Sequence, residues 1–253
     1  MLYTQNLSII RDNKTLIDDV NICIERGKVY ALIGHNGSGK STLIKALSAQ
    51  TLPTSGRIYI DSQPLGKYTR KQIAQNIAYL PQKLPEAQGF CVRELVMLGR
   101  HPHQKWLQKA NDHDKKMVDW AIDQTDSRTL LDKSVDMLSG GQKTRVWLAM
   151  CIAQQTPFLL LDEPLAPLDI VYQVQVLELI QKLAKEQNIG IVLIIHDINL
   201  AARYCDEFIA LKRGKICHQA SVNETMNQTA LRHIFEVDFT LLTHPNGQSV
   251  AVL

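Results

Sequence analysis

Nine consecutive residues, Gly34-His35-Asn36-Gly37-Ser38-Gly39-Lys40-Ser41-Thr42, have the types and spacing to hold a chain of phosphates. They match G-x-x-x-x-G-K-[ST] and lie between an apolar run ending at Ile33 and a helical pattern over Leu43 to Ala49. Glycines let successive backbone N–H groups turn inward around phosphate oxygens, and the helix that follows points its positive end at the same place. Lys40 adds a compact charge for the β and γ phosphates, and the Ser41 hydroxyl can ligate Mg²⁺. A glycine-rich turn without a ligand is the alternative; the strand-loop-helix context argues against it.

The run Phe158-Leu159-Leu160-Leu161 ends in Asp162-Glu163, which puts two carboxylates at the edge where α/β sheets bind ligands. Asp162 suits Mg²⁺, held through water, while Glu163 can accept a proton from, or orient, a water attacking a γ-phosphate. The competing reading is an acidic loop that solvates a strand end. A third apolar run, Ile191 to Ile195, leads into His196-Asp197, where an imidazole can hydrogen-bond the γ-phosphate, although a lone histidine is more often structural. Gln82, in Leu80-Pro81-Gln82 after another strand, is ambiguous alone. Finally, Leu138-Ser139-Gly140-Gly141-Gln142 opens a helical stretch running to Gln154, so the Ser139 hydroxyl and the glycine amides form a second anion site at a helix N-terminus. One chain does not need two such sites for one nucleotide.

The elements that must carry these groups can be read from length and pattern. A chain of 253 residues makes one domain, or one with a subdomain. It buries roughly 73% of what its unfolded form exposes, so it needs no disulfide or metal staple. With 45% hydrophobic and 21% charged residues, the composition excludes a disordered or fibrous chain, and a net charge of +3 is too small to argue for nucleic acid. Cys23, Cys91, Cys151, Cys205 and Cys217 are odd in number and scattered, as expected of reduced thiols. The N-terminus does not read as a signal peptide, and no apolar stretch is long enough to cross a bilayer.

Val20, Ile22 and Ile24 alternate with polar neighbours, as do the residues from Arg57 to Ile60, so the opening third reads as strand-rich. Lys28 to Ile33, Phe158 to Leu161 and Ile191 to Ile195 are continuous apolar runs, the mark of strands covered on both faces of a parallel sheet. Ile170, Val174, Leu177, Ile180 and Ala184 recur at helical spacing in a segment ending near Asn188. The alternation is that of an α/β architecture. Residues 84–155 carry short helical stretches instead, including Val92 to Leu98 and Asp112 to Asp123, and read as a helical subdomain inserted between sheet-core segments 1–83 and 156–253. Beyond residue 222 only a short helix and two weak strands, near Thr240 and Val250, fit.

Leu138 to Gln142, LSGGQ, resembles the signature of the ATP-binding cassette (ABC) family, and over nearly the whole chain the motifs follow the family order: phosphate loop, Gln82, signature, Asp162-Glu163, Asp169, His196. The resemblance implies a P-loop NTPase of ABC type: α/β, with a mostly parallel core sheet, an N-terminal antiparallel β part and an inserted helical subdomain. It also implies an ATPase that uses ATP and Mg²⁺. By the same resemblance, Glu163, His196 and Gln82 are catalytic, Gly34 to Thr42 hold the nucleotide, and Ser41, Gln82 and Asp162 face the metal. Gln82 further links the helical subdomain to the sheet domain. The family forms an ATP-dependent head-to-tail homodimer in which Ser139, Gly140, Gly141 and Gln142 of one subunit cap the γ-phosphate bound by the other, and Asp169 lies in the loop that crosses the interface.

Within the family, Trp147-Leu148-Ala149-Met150, Leu168-Asp169-Ile170, the stretch His196 to Asp206 and Thr243-His244-Pro245-Asn246-Gly247 resemble the ATPase subunits of ferric siderophore importers, notably the ferric hydroxamate branch. That implies integral membrane permease subunits as partners, a substrate-binding protein on the far side, no nucleic acid, and a peripheral place on the cytoplasmic face of the bacterial inner membrane. Haem, cobalamin or another metal chelate stays open as cargo. A soluble ABC ATPase of DNA repair or ribosomes fits less well, because such proteins usually carry a long coiled-coil insertion or two cassettes. A regulatory module that seldom turns over conflicts with intact Asp162, Glu163 and His196. Two positions depart from the family pattern. Arg11 stands about where many members stack an aromatic residue on adenine, a place its planar guanidinium can fill weakly. Leu165-Ala166-Pro167-Leu168-Asp169 replaces Thr-Ser-Ala-Leu-Asp and loses two hydroxyls. The helical insertion is expected to dock the membrane partner, with Phe90 and Gly99-Arg100-His101-Pro102-His103 nearby, a solvated loop being the alternative for the latter stretch.

Overall fold

The structure, a computed structural model, describes residues 1–105, 109–245 and 247–253. Asn246, part of the Thr243 to Gly247 motif, lies outside the described residues. The chain forms two compact units, Met1–Lys67 with Ile180–Leu253, and Tyr68–Leu179.

In the first unit, strand Leu2–Arg11 runs antiparallel between Lys14–Val20 and Ser55–Ile60, with Arg11 opposite Lys14 and Tyr3 opposite Tyr59. The connection after Arg11 is a two-residue turn in which Asp12 and Asn13 both adopt left-handed backbone, with φ of 48° and 58°. This is the geometry whose twist matches that of paired strands. The expected antiparallel β part is therefore present. Behind it, Val29–Ile33 lies between Gly190–Ile194 and Glu207–Lys212, parallel to both, and Lys215–Ser221 closes the far edge antiparallel. Every residue of Val29–Ile33 and Gly190–Ile194 is buried, which is why both read as unbroken apolar runs.

The end of the chain departs from the expected single short helix. It forms two, Val222–Thr225 and Gln228–Phe235, because Asn227 restarts the helix by accepting the Ala230 N–H at 2.9 Å. The strands near Thr240 and Val250 form a hairpin, Thr240–Thr243 with Ser249–Val252. The Asn199 amide secures it by bonding both the N–H and the C=O of Ala251, at 2.8 and 3.0 Å.

The second unit pairs strands Ile77–Leu80 and Phe158–Leu161 in parallel, with Leu80 opposite Leu161. Helices Val92–Leu98, Asp112–Gln124 and Gly140–Ala153 pack on one another, and helix Ile170–Gln187 begins in this unit. Residues 84–155, read as the helical insertion, fall wholly within it. Nearly every side chain from Thr144 to Ala153 is buried, so that helix is a core helix rather than an amphipathic surface one.

Arg100 corrects an expectation. Rather than facing a partner, it is buried at the centre of this helical cluster: its side chain and that of Asp114 are each 3% exposed and meet at 3.0 Å. Arg100 also donates to the Ala153 carbonyl at 2.6 Å and to Gln155 Oε1 at 2.9 Å. The guanidinium thus satisfies carbonyl groups where helix Gly140–Ala153 ends, and that is a structural task. Burial alone would raise the Asp114 carboxyl, but hydrogen bonds from Arg100 and from the Asn111 N–H outweigh it and hold the group below the usual carboxylate range. Removing one partner of such a pair strands the other charge, at a cost of about 3–5 kcal/mol. Asp114→Ala is therefore expected to lower the thermal midpoint steeply. The parent's share of stability from this pair is complete above the unfolded carboxylate pKa of about 3.9 and disappears as pH falls through the lower folded value. A melting curve for Asp114→Ala that matches the parent at pH 7 would show that the pair contributes nothing.

Candidate nucleotide site

Gly34 and His196 leave the sheet side by side. Leu32 is paired with Ile194, and each chain runs on two residues past that rung, to Gly34 and to His196. Both therefore emerge at the carboxyl edge of neighbouring parallel strands, the ligand-binding edge of such sheets. From there the loop turns through Gly34, Gly37 and Gly39, with φ of 136°, 79° and 110°, into helix Lys40–Leu47. Two of these glycines are required by close approach as well as by φ. A Cβ on Gly34 would lie 2.2 Å from the Leu211 carbonyl oxygen, and one on Gly39 would lie 2.7 Å from that of Leu16.

Lys40 is buried, and its ammonium reaches back across the loop to donate to the carbonyls of Gly34 at 2.8 Å and His35 at 3.0 Å. The His35 carbonyl also accepts the Ser38 N–H at 3.2 Å, and the Gly214 N–H bonds the Ser38 carbonyl at 2.9 Å. Ser38 Oγ is buried without a hydrogen-bond partner, a cost of about 1–3 kcal/mol that a phosphate oxygen would remove. A buried polar atom left unmatched in a glycine-rich loop at the ligand-binding edge of the sheet fits an anion there. Ser41 and Thr42 follow in the first helical turn, and Asn36 is exposed on the loop. Arg11 sits at the end of its strand, beside the tight turn, with its guanidinium 3.5 Å from Thr51 Oγ1.

In the second unit, Asp162 is 1% exposed at the end of Phe158–Leu161, and its N–H bonds the Leu80 carbonyl at 2.9 Å. Tyr79, which sequence reasoning did not single out, approaches Asp162 Oδ2 with its hydroxyl at 3.4 Å. Burial, then the Asp162 charge, pushes the Tyr79 phenol well above its ordinary range, so it stays protonated and donates. Glu163 has left-handed backbone, φ 53°, a conformation that costs a non-glycine residue free energy and that clusters at functional sites. Its Oε2 accepts Gln82 Nε2 at 2.8 Å, so the sequence-ambiguous glutamine is joined to one of the two carboxylates.

The signature residues begin helix Gly140–Ala153 through a reciprocal cap. Ser139 Oγ accepts the Gln142 N–H at 3.3 Å, and Gln142 Oε1 accepts the Ser139 N–H at 3.1 Å. Ser139 and Gly140 are exposed, next to Met137, which is 82% exposed. A Cβ on Gly141 would lie 3.3 Å from the Pro167 carbonyl, so the signature turn sits against the loop leading to Asp169. Asp169 in turn accepts the N–H groups of Val171 and Tyr172, both at 3.1 Å. The loop lacks the two family hydroxyls, yet Gln173 braces it by donating to the carbonyls of Leu165 at 3.2 Å and Leu168 at 3.1 Å.

All five cysteines are free, and burial pushes the Cys151 thiol up to about 12, which keeps it protonated and unreactive. Among the described residues, no cluster of three or more His, Cys, Asp or Glu could hold a metal, and no helix is long and apolar enough to cross a membrane.

Residues 17–166 match a family model described as ABC transporter. The chain belongs to the ABC transporter family. Its sequence is 39% identical over 244 residues to the iron(3+)-hydroxamate import ATP-binding protein FhuC of Bacillus subtilis, covering 96% of this chain and 91% of that one. It is 36% identical over 231 residues to the ferric enterobactin transport ATP-binding protein FepC of Escherichia coli, covering 91% and 85%. Among solved structures, cbiO1 of Clostridium perfringens, part of an ABC transporter complex, superposes with a TM-score of 0.77 at 31% identity, covering 91% and 92%. The fold is that of an ABC ATPase, and the family chemistry is ATP binding and hydrolysis.

Proposed function

We propose that two copies of this chain close head to tail over two ATP molecules and reopen after hydrolysis, switching membrane permease subunits between inward- and outward-facing states during import of a ferric siderophore. The single observation that carries the cargo is the likeness, at 36–39% identity over more than nine-tenths of the chain, to ATP-binding proteins named for iron-hydroxamate and ferric enterobactin transport. A substrate-binding protein delivers the cargo on the far side, and the ATPase works from the cytoplasmic face.

In this reading the amides of Gly34 to Gly39 and the Lys40 ammonium bind the β and γ phosphates. His196, at the same sheet edge, bonds the γ-phosphate, and Arg11 lies near the adenine. Glu163 takes the proton of the attacking water, with Gln82 holding its carboxylate at 2.8 Å. Ser41, Asp162 and Gln82 offer only oxygen ligands to Mg²⁺, which suits a hard cation; the Gln82 amide bonds Glu163 through nitrogen, which leaves its oxygen for that role. The bound cation would neutralise phosphate charge. Ser139, Gly140, Gly141 and Gln142 donate to the γ-phosphate held by the other copy, and Asp169 carries the signal across the interface.

The γ-phosphate is what ADP lacks. Hydrogen bonds to charged groups contribute about 1.5–3 kcal/mol each, so two or three per site, doubled by symmetry, exceed the ~5.5 kcal/mol that reverses a 1:99 equilibrium. The cargo assignment is tested by depleting the protein and measuring uptake of iron-loaded hydroxamate, haem and cobalamin side by side. Loss of iron-hydroxamate uptake with the other two intact is expected. Loss of cobalamin or haem uptake alone would replace the cargo, and no loss of any would overturn the importer reading.

A further inference from the structure

We infer that Phe235, beyond the residues 17–166 matched by the family model, is a positioning residue for the ATP cradle, acting through the ring of His35. The inference rests on the reading of Gly34 to Thr42 as the ATP loop.

A loop with three glycines at positive φ has little stiffness of its own, so its binding shape must be imposed from outside. One side is imposed by backbone, the carbonyls of Leu211 and Leu16 lying against Gly34 and Gly39. On the other side stands His35, exposed on the loop, with its ring edge-on to Phe235 at 6.1 Å and 73°. Phe235 is held in turn by Phe239, 5.7 Å away and also edge-on. The helix end that carries Phe235 is fastened to the strand that walls the loop: Lys212 donates to the His233 carbonyl at 3.3 Å and pairs with Glu236 at 2.7 Å. Lys212 is the neighbour of Leu211, so one strand end fixes both the wall against Gly34 and the base from which Phe235 reaches His35.

His35 is the residue through which such a hold would matter. Its carbonyl is the common acceptor for Lys40 Nζ and for the Ser38 N–H, so a change in its conformation moves the phosphate-facing ammonium and an amide of the cradle together. The chemical step is assigned to Glu163, Gln82 and His196, whereas Phe235 meets the cradle at His35, so its effect should fall on nucleotide affinity rather than on that step.

The test is a double-mutant cycle on ATP affinity in the full chain, with Phe235→Ala, His35→Ala and both together, read by calorimetry, alongside KM and kcat for hydrolysis. Edge-on ring pairs carry enough free energy for Phe235→Ala to weaken ATP binding about two- to tenfold, with KM rising and kcat held. Phe235→Tyr, which keeps the ring, should restore parent affinity, and the double variant should bind no worse than His35→Ala. Thermal melts separate this from simple loss of the C-terminal packing, because a structural effect would lower kcat and stability and would add to His35→Ala. Parent affinity in Phe235→Ala, or losses that add in the double variant, would overturn the inference. Failure of the parent chain to bind ATP would instead refute the ATP-loop reading.

Discussion

Glu163→Gln leaves ATP bound and slows its hydrolysis by about 100- to 10,000-fold, the range that a positioned general base contributes. The binding half of this expectation follows from which side chains are proposed to hold the nucleotide. The groups proposed to hold the phosphates, the Lys40 ammonium on the Gly34 and His35 carbonyls and the buried Ser38 hydroxyl, belong to the loop itself, and the substitution changes none of those side chains. The catalytic half follows from what the amide retains. Glutamine still accepts a hydrogen bond through its oxygen, so the 2.8 Å contact with Gln82 can persist while the capacity to take a proton is gone. The variant therefore separates holding water from deprotonating it. Single-turnover hydrolysis under saturating ATP measures this, and a variant that turned over at the parent rate would remove Glu163 from the role of base.

Gly34→Ala should abolish useful nucleotide binding, raising the ATP Kd by at least about 100-fold. A Cβ at this position would lie 2.2 Å from the Leu211 carbonyl oxygen, and φ is 136°, where side chains are strained whatever the space. The atom in the way is backbone in a buried parallel strand, so it cannot swing aside as a side-chain end would. Strain of 1–3 kcal/mol plus this overlap shifts the loop out of register, and about 2.8 kcal/mol already equals the 100-fold loss. Gly37→Ala is the matched control. It too has positive φ, 79°, but nothing lies within 4 Å of its added Cβ, so only strain of about 1–2 kcal/mol applies and the loss should stop near tenfold. Calorimetric titration of both variants distinguishes contact from conformation; equal losses would mean that the close approach to Leu211 does not shape the cradle.

How much of this was legible in the sequence depends on how far apart the interacting residues lie. The phosphate loop, the Asp162-Glu163 pair and the Ser139 cap are each written in a few consecutive residues, and their strand and helix contexts follow from apolar runs of the right length. The split of the last helix was also locally written, since Asn227 three residues before Ala230 is a capping signal, but a short pattern near the end of the chain obscured it. Arg100 shows where local reading stops. Beside glycine and two histidines it looks like an exposed basic loop, and only the fold brings Asp114, Ala153 and Gln155 around it. Tyr79 meets Asp162 across two parallel strands, and Phe235 meets His35 from the far end of the chain; neither pairing leaves a mark in spacing.

The central claim is that the γ-phosphate joins two copies of this chain, and the molar mass of Glu163→Gln by light scattering tests it most directly. With ATP and Mg²⁺ the account predicts twice the mass of one chain, and with ADP and Mg²⁺ the mass of a single chain. A single-chain mass in ATP, measured on protein shown by filtration to carry the nucleotide, would contradict it.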